Sequence, residues 1–167
     1  MNMLFRYCPH CGTVLDKREE GGKLRMRCGE CGFIQYLNPA PAAGILVRDD
    51  KGRVLLVRRK FEPFAGLWTM PAGFIEYGEE VSETAVRELE EETGLIIEIE
   101  TIHTVESCRD DPRGDTVLVM YEGHVRGGKL EAGDDAGEVG FFPLDGLPEI
   151  AFACQRRVME RLIRNLS

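Results

Sequence analysis

Apolar and polar positions along the chain change their period several times, and each change marks an element. Residues 42–59, AAGILVRDDKGRVLLVRR, are two apolar runs on either side of DDKG, which predicts a β-hairpin. Residues 61–80, FEPFAGLWTMPAGFIEYGEE, break that pattern with Pro, Gly and aromatics and predict a long loop, too aromatic for an idle connector. From about Val81 to Thr93 the spacing becomes helical, with Val81, Ala85 and Leu89 at i, i+4 and i+8. LIIEIETIHTV then alternates like a strand, and TVLVMYEGHV predicts a second one. After the Gly/Asp-rich loop RGGKLEAGDDAGE comes a short strand, VGFFPL. An amphipathic helix from about Glu149 ends the chain, with Ile150, Cys154, Val158, Leu162 and Leu166 on one face. Ahead of all this, DKREEGGKLR predicts a small hairpin around Gly21-Gly22, and the prolines of LNPAP predict an extended linker.

The chain has 167 residues, enough for one domain and a small appendage, and its 43% hydrophobic content suffices for a buried core. Charge is unevenly spread. Residues 1–37 carry six Lys/Arg and four Asp/Glu, a balance of +2, whereas residues 38–167 carry fifteen and twenty-five, a balance of −10. An acidic body disfavours duplex nucleic acid as the main partner, because phosphate contacts rely on cations. No apolar run is long enough to span a bilayer, and MNMLFRYCPH has no signal-peptide pattern, so no membrane partner and a cytoplasmic location are expected.

Six cysteines are present, and four of them are patterned: Cys8 and Cys11 in CPHCG, Cys28 and Cys31 in CGECG. Without a secretion signal, such pairs indicate metal rather than disulfides. Four thiolates make a closed tetrahedral Zn²⁺ site of structural type, and so small a segment needs one to fold. His10 is read as a spectator, and Cys108 and Cys154 as packing residues. The segment resembles a zinc ribbon, giving a division into residues 1–37 and 38–167.

The helix ends in RELEEETG, which crowds Glu88, Glu90, Glu91 and Glu92 against the negative pole of the macrodipole. Glu88, Glu91 and Glu92 are related by i+3 and i+4, so their carboxylates share one face, while Glu90 points elsewhere. Such a set is unfavourable alone and favourable around divalent cations such as Mg²⁺ or Mn²⁺. A merely solvated acidic face explains neither its place at the wrong helix end nor the loop before it.

Residues 73–95, GFIEYGEEVSETAVRELEEETGL, fill every fixed position of the Nudix hydrolase signature, and the chain resembles that family over about residues 40–165. The resemblance implies an α+β fold, an α/β/α sandwich with a mixed sheet, preceded here by the ribbon. It implies hydrolysis of a nucleoside diphosphate linked to another moiety, with Glu88, Glu91, Glu92 and the carbonyl of Ala72 as divalent-metal ligands. Glu79 reaches the same cluster, and Arg87 orients a carboxylate. The general base is Glu91 or Glu88, or an acid of the later loop: Asp134, Asp135 or Glu138.

The ribbon-plus-box arrangement is similar to the ADP-ribose, FAD and NADH pyrophosphatase group. The SQPWPFPxS motif of NADH pyrophosphatases is absent, and Pro112 is a mark shared with ADP-ribose hydrolases, so ADP-ribose or an ADP-containing dinucleotide is the expected substrate and AMP a product. Trp68, Phe64 and Tyr77 could stack on a base or simply pack beneath the loop. A non-hydrolytic nucleotide sensor and an RNA 5′-end (NAD-cap) processor are the alternatives. Long nucleic acid is disfavoured, and the family likeness suggests a homodimer.

Overall fold

The computed structural model describes residues 4–133 and 135–165. Asp134 and Leu166 therefore lie outside the described residues. The chain divides into two compact units, Met1–Pro39 and Ala40–Ser167.

In the first unit, β1 (Asp16–Glu20) and β2 (Lys23–Arg27) form the expected hairpin, and β3 (Ile34–Gln35) adds to β2. Its core is small: Cys8, Leu15 and Cys28, with Met26 and Phe33 packed against them.

The second unit is built on two sheets. One has the order β7-β4-β9-β8, from β4 (Ala40–Val47), β7 (Ala72–Phe74), β8 (Leu95–Cys108) and β9 (Thr116–Gly128). It is mixed, because β4 runs parallel to β9 and antiparallel to β7. The other has the order β10-β5-β6, from β5 (Val54–Arg59), β6 (Trp68–Thr69) and β10 (Ala136–Phe142). Alternation along β4 explains the layering. Ala42 and Leu46 point into a core shared with Val158, Met159 and Leu162 of α2 (Ala153–Arg164). Ala43, Ile45 and Val47 point into a second core with Ala85 and Leu89 of α1 (Val81–Thr93). A strand buried on both faces reads as a continuous apolar run, as AAGILV does. The result is the expected α+β fold, with sheet between helices.

Three expectations are revised. The predicted hairpin of β4 and β5 keeps its turn, in which Asp49 Oδ1 accepts the N–H groups of Lys51 (3.0 Å) and Arg53 (2.9 Å). The strands themselves part after the single Arg48–Val54 bridge, because β7 and β9 already occupy both edges of β4. The long loop contains two short strands, β6 and β7. The last helix starts at Ala153 rather than near Glu149, because the chain before it pairs with β6: Trp68 N–H donates to Glu149 O (3.0 Å) and Ala151 N–H to Trp68 O (2.7 Å). Asp110 Oδ2, from the β8–β9 loop, accepts the Ala153 N–H (2.7 Å).

The reading of Cys108 and Cys154 as separate packing residues is corrected as well. They form a disulfide across a sequence separation of 46, between the end of β8 and the second residue of α2, with Cα atoms 5.1 Å apart. No sequence spacing signals this pair, since only the docking of α2 on the sheet brings them together. No helix among the described residues is long and apolar enough to cross a membrane.

Candidate active site and cysteine cluster

Helix α1 begins and ends where its sequence predicts. Its last carbonyls, which a crowd of acids would otherwise face unaided, are tied by N–H groups of the loop after β9. Lys129 N–H donates to Gly94 O (3.2 Å), Glu131 N–H to Thr93 O (2.9 Å) and Gly133 N–H to Glu92 O (3.0 Å). Gly94 closes the helix in the left-handed region (φ 69°), its N–H on Glu90 O. The backbone polarity of the helix end is thus satisfied by the backbone of the acidic loop.

Arg87 organises those carboxylates. Its Nε and Nη2 donate to the two oxygens of Glu79 (2.7 and 3.0 Å), and Nη1 donates to Glu88 (2.8 Å) and Glu91 (3.0 Å). The hydrogen bonds from Arg87 and then Thr84 hold the Glu79 carboxyl down at about 2. Glu88 is pushed upward, because its burial outweighs the hydrogen bonds from Arg87. It lies against Gly73, where an added Cβ would fall 2.1 Å from the Glu88 carboxyl carbon, so any side chain at this position would displace the Glu88 carboxylate. Glu92 is turned inward. Burial first, and the neighbouring Glu88 charge second, raise its carboxyl to about 8, partly offset by a hydrogen bond from the Ala72 backbone. Its Oε2 is buried and has no hydrogen-bond partner. Such an orphaned oxygen is a costly feature for a metal-free carboxylate and suits one that shares a cation with Glu88.

Glu88 and Glu92 line a cavity of about 240 Å³ together with Ala72, Arg59, Arg113 and Asp135, and with the rings of Phe61 and Phe74 near them. A second cavity of about 80 Å³ shares Arg59, Ala72, Phe74 and Arg113 with the first and continues to Asp111, Phe152 and the Cys108–Cys154 disulfide. One wall of this space is therefore acidic and another cationic. Arg113 is gripped by Asp111 (Nη2–Oδ2 2.7 Å), and its guanidinium lies 5.5 Å from the Phe74 ring centre. Arg59 lies 5.1 Å from the Phe152 ring, and burial followed by the Arg113 charge lowers its pKa.

The structure brings Glu79, Arg87, Glu88, Glu91, Glu92 and Ala72 into one neighbourhood. Trp68 packs edge-on against Phe142 (4.6 Å) and is not among the residues lining either cavity. Phe64 packs edge-on against Phe152 (5.2 Å), one layer from the smaller cavity. Tyr77 is fully exposed, and Glu138 pairs with Arg58 (3.4 Å) on the outer part of β10. Sequence reasoning missed Arg59, Arg113, Asp111, Phe61, Phe74 and Phe152. A pair of arginines separated by 54 residues carries no local signal, although Phe74 adjoins Gly73 and could have been weighed from its place in the box.

In the first unit the sulfurs of Cys8, Cys11, Cys28 and Cys31 all lie within 4.8 Å of one another, with contacts of 3.5 Å for Cys8–Cys31 and Cys11–Cys28. A tetrahedron with metal–sulfur bonds of about 2.3 Å has edges of roughly 3.8 Å, so this donor set fits Zn²⁺ without rearrangement. Among the described residues no other group of His, Cys, Asp and Glu closes to that spacing, and the glutamates of α1 stay apart around Arg87.

Comparisons with known proteins agree with this architecture. Residues 38–162 match the model of the NUDIX domain. An ADP-ribose pyrophosphatase of Methanocaldococcus jannaschii is 48% identical over 119 residues, 70% of this chain and 69% of that protein. The NAD-capped RNA hydrolase NudC of Pseudomonas aeruginosa is 32% identical over 160 residues, 95% of this chain but 54% of the relative, so the chain spans about half the length of that protein. Among solved structures, a NUDIX hydrolase from Nitrosomonas europaea superposes with a TM-score of 0.77 at 29% identity, covering 94% of this chain and 92% of that one. With its signature helix, its mixed sheet between helices and these relatives, the chain belongs to the NUDIX hydrolase family.

Proposed function

We propose that this chain hydrolyses the pyrophosphate bond of ADP-ribose, or of a related ADP-containing dinucleotide such as FAD or NADH, and releases AMP. The observation that carries the proposal is the buried Glu92 carboxylate beside Glu88, with its Oε2 unpartnered, in one cavity with Arg59 and Arg113. Glu88, Glu91, Glu92 and the Ala72 carbonyl would hold Mg²⁺ or Mn²⁺, and Cys8, Cys11, Cys28 and Cys31 would hold Zn²⁺ in a ribbon of residues 1–37, with residues 38–167 as the catalytic domain. When bound, the divalent ion neutralises phosphate charge and lowers the pKa of a coordinated water.

The chain's own residues do the rest. Arg87 is a positioning residue, because its fork fixes Glu79, Glu88 and Glu91 at once. Arg59 and Arg113 face the anionic half of the substrate, and Phe61 and Phe74, both largely exposed at the cavity, offer ring faces to a base. Glu91 or Glu88 accepts the proton of the attacking water; Asp135 lines the same cavity from the loop and is the third candidate. The 48% identity to an ADP-ribose pyrophosphatase favours ADP-ribose over the other members of the group.

The test is a panel of ADP-ribose, NADH, FAD, dinucleoside polyphosphates and NAD-capped oligoribonucleotide with Mg²⁺ or Mn²⁺, read as AMP released. Highest kcat/KM for ADP-ribose is expected. Tight binding without turnover would instead make the protein a sensor, and turnover of capped RNA alone would make it a cap hydrolase. Light scattering of the same sample decides the homodimer that the family likeness implies.

A further inference from the structure

We propose that Cys108 and Cys154 are a thiol–disulfide site through which low-molecular-weight disulfides and thiols set the affinity of the nucleotide cavity; the effect on affinity rests on the functional reading above. Both residues line the smaller cavity with Arg59, Asp111, Arg113 and Phe152, and that cavity shares its walls with the one that holds Glu88 and Glu92. Their exposures are 6% and 1%, so the cavity is the approach to them. The bond ties the start of the β8–β9 loop to the start of α2. That loop carries Asp111 and the Arg113 it grips, and Phe152 stands two residues before Cys154. Arg113 and Phe152, from two different elements of the cavity wall, are therefore tied to each other by one covalent link.

Without the link the fold keeps its other ties between the same elements. Asp110 Oδ2 still accepts the Ala153 N–H (2.7 Å), and Arg157 still donates to Ser107 O (2.9 Å) and to Glu106 (3.0 Å). Reduction thus loosens the wall without releasing the helix. Glu88 and Glu91 are held by Arg87, which has no part in this link.

The exchange balances with a disulfide RSSR as oxidant. One thiolate attacks RSSR, forming a mixed disulfide and releasing RSH. The second cysteine then displaces the remaining RSH, so two protein thiols lose two electrons and two protons as RSSR becomes two RSH. The reverse sequence, with excess thiol, opens the link.

The full chain is equilibrated in graded ratios of dithiothreitol to its cyclic disulfide. Aliquots are quenched with a maleimide in denaturant, so that labelled Cys108 and Cys154 can be counted by mass, and parallel aliquots give kcat and KM for ADP-ribose. The two thiols are expected to appear together, with KM rising roughly threefold or more as they do and kcat unchanged, since only binding common to ground and transition states is lost. Cys108→Ser and Cys154→Ser should show the reduced-state KM at every ratio. Thiols that appear only on unfolding, or a KM indifferent to the labelled fraction, would overturn the proposal, and the wild-type titration decides this even if a variant fails to fold. No turnover in either redox state would sink the functional reading instead. In that case AMP decides between the two: slower reduction in its presence supports thiols facing a nucleotide cavity, and an unchanged rate excludes them.

Discussion

The four cysteines and the glutamates around Arg87 are both sets of ligand-type side chains, but they are assembled in opposite ways. The sulfurs already lie within 4.8 Å of one another. Glu79, Glu88 and Glu91 are held by a guanidinium, and Glu92 beside them is buried with an oxygen unsatisfied. A closed set of four like donors leaves no position for substrate, whereas an open set beside a cavity does. The surroundings differ in the same sense. Among the described residues the first unit has three buried apolar ones, too few to fold on burial alone, while the second has two extensive cores on opposite faces of β4. The contrast predicts that the cysteine site serves its unit's stability and that the second unit folds without the glutamate site.

The largest expected effect tests the first half of that contrast. Cys28→Ser, or removal of the metal by a strong chelator, should abolish amide-exchange protection across residues 8–35 while β4 and α1 stay protected. Retained protection in β1 and β2 would mean the hairpin folds without its metal. Next, Glu92→Gln should lower turnover by about 10²-fold or more, yet raise the melting temperature measured in chelator near pH 7, because a carboxyl raised to about 8 stays protonated when folded but ionises on unfolding above about pH 4.3, a cost that a neutral amide does not carry. A fall in both would show that Glu92 has a structural partner. Gly73→Ala should lower kcat by roughly 10–100-fold, since its Cβ displaces the Glu88 carboxyl, and Mn²⁺ affinity should fall in parallel.

The smallest effect concerns α2 and is independent of either metal. Burial pushes Glu106 up, but hydrogen bonds from Arg161 and Arg157 outweigh it and hold its carboxyl below the usual range. A depressed folded-state pKa gives stability that is present above the unfolded value of about 4.3 and lost as pH falls through the lower folded value. Glu106→Gln should therefore cost about 1–2 kcal/mol at pH 7, and chemical denaturation should show the gap to wild type closing below about pH 4. A gap that persists at low pH would assign the effect to packing instead.

Much of this was legible in the chain. The bounds of α1, the hairpin at Gly21-Gly22 and the cysteine cluster all depend on spacings of fewer than 25 residues, where local periodicity and turn chemistry act directly. The hairpin of β4 and β5 was misread because its turn is local but its pairing is not: a strand pairs with whichever edge is free, and that edge was taken by β7 and β9. The aromatics show the same limit. Trp68 and Phe61 lie in one loop of similar composition, yet the structure packs Trp68 against Phe142 and leaves Phe61 at the cavity.

The sequence by itself determined most of the elements, the cysteine cluster, the shared face of the α1 glutamates and the family, because each is written in side chains whose relative positions the backbone's own geometry fixes. Only the tertiary structure decided that Arg59 and Arg113 share a cavity with Glu92, that Glu92 Oε2 is buried without a partner, and that Cys108 meets Cys154. Those relations join residues from different elements. They exist only once the helices dock on the sheet, a step set by the sum of many small apolar contacts rather than by any spacing along the chain.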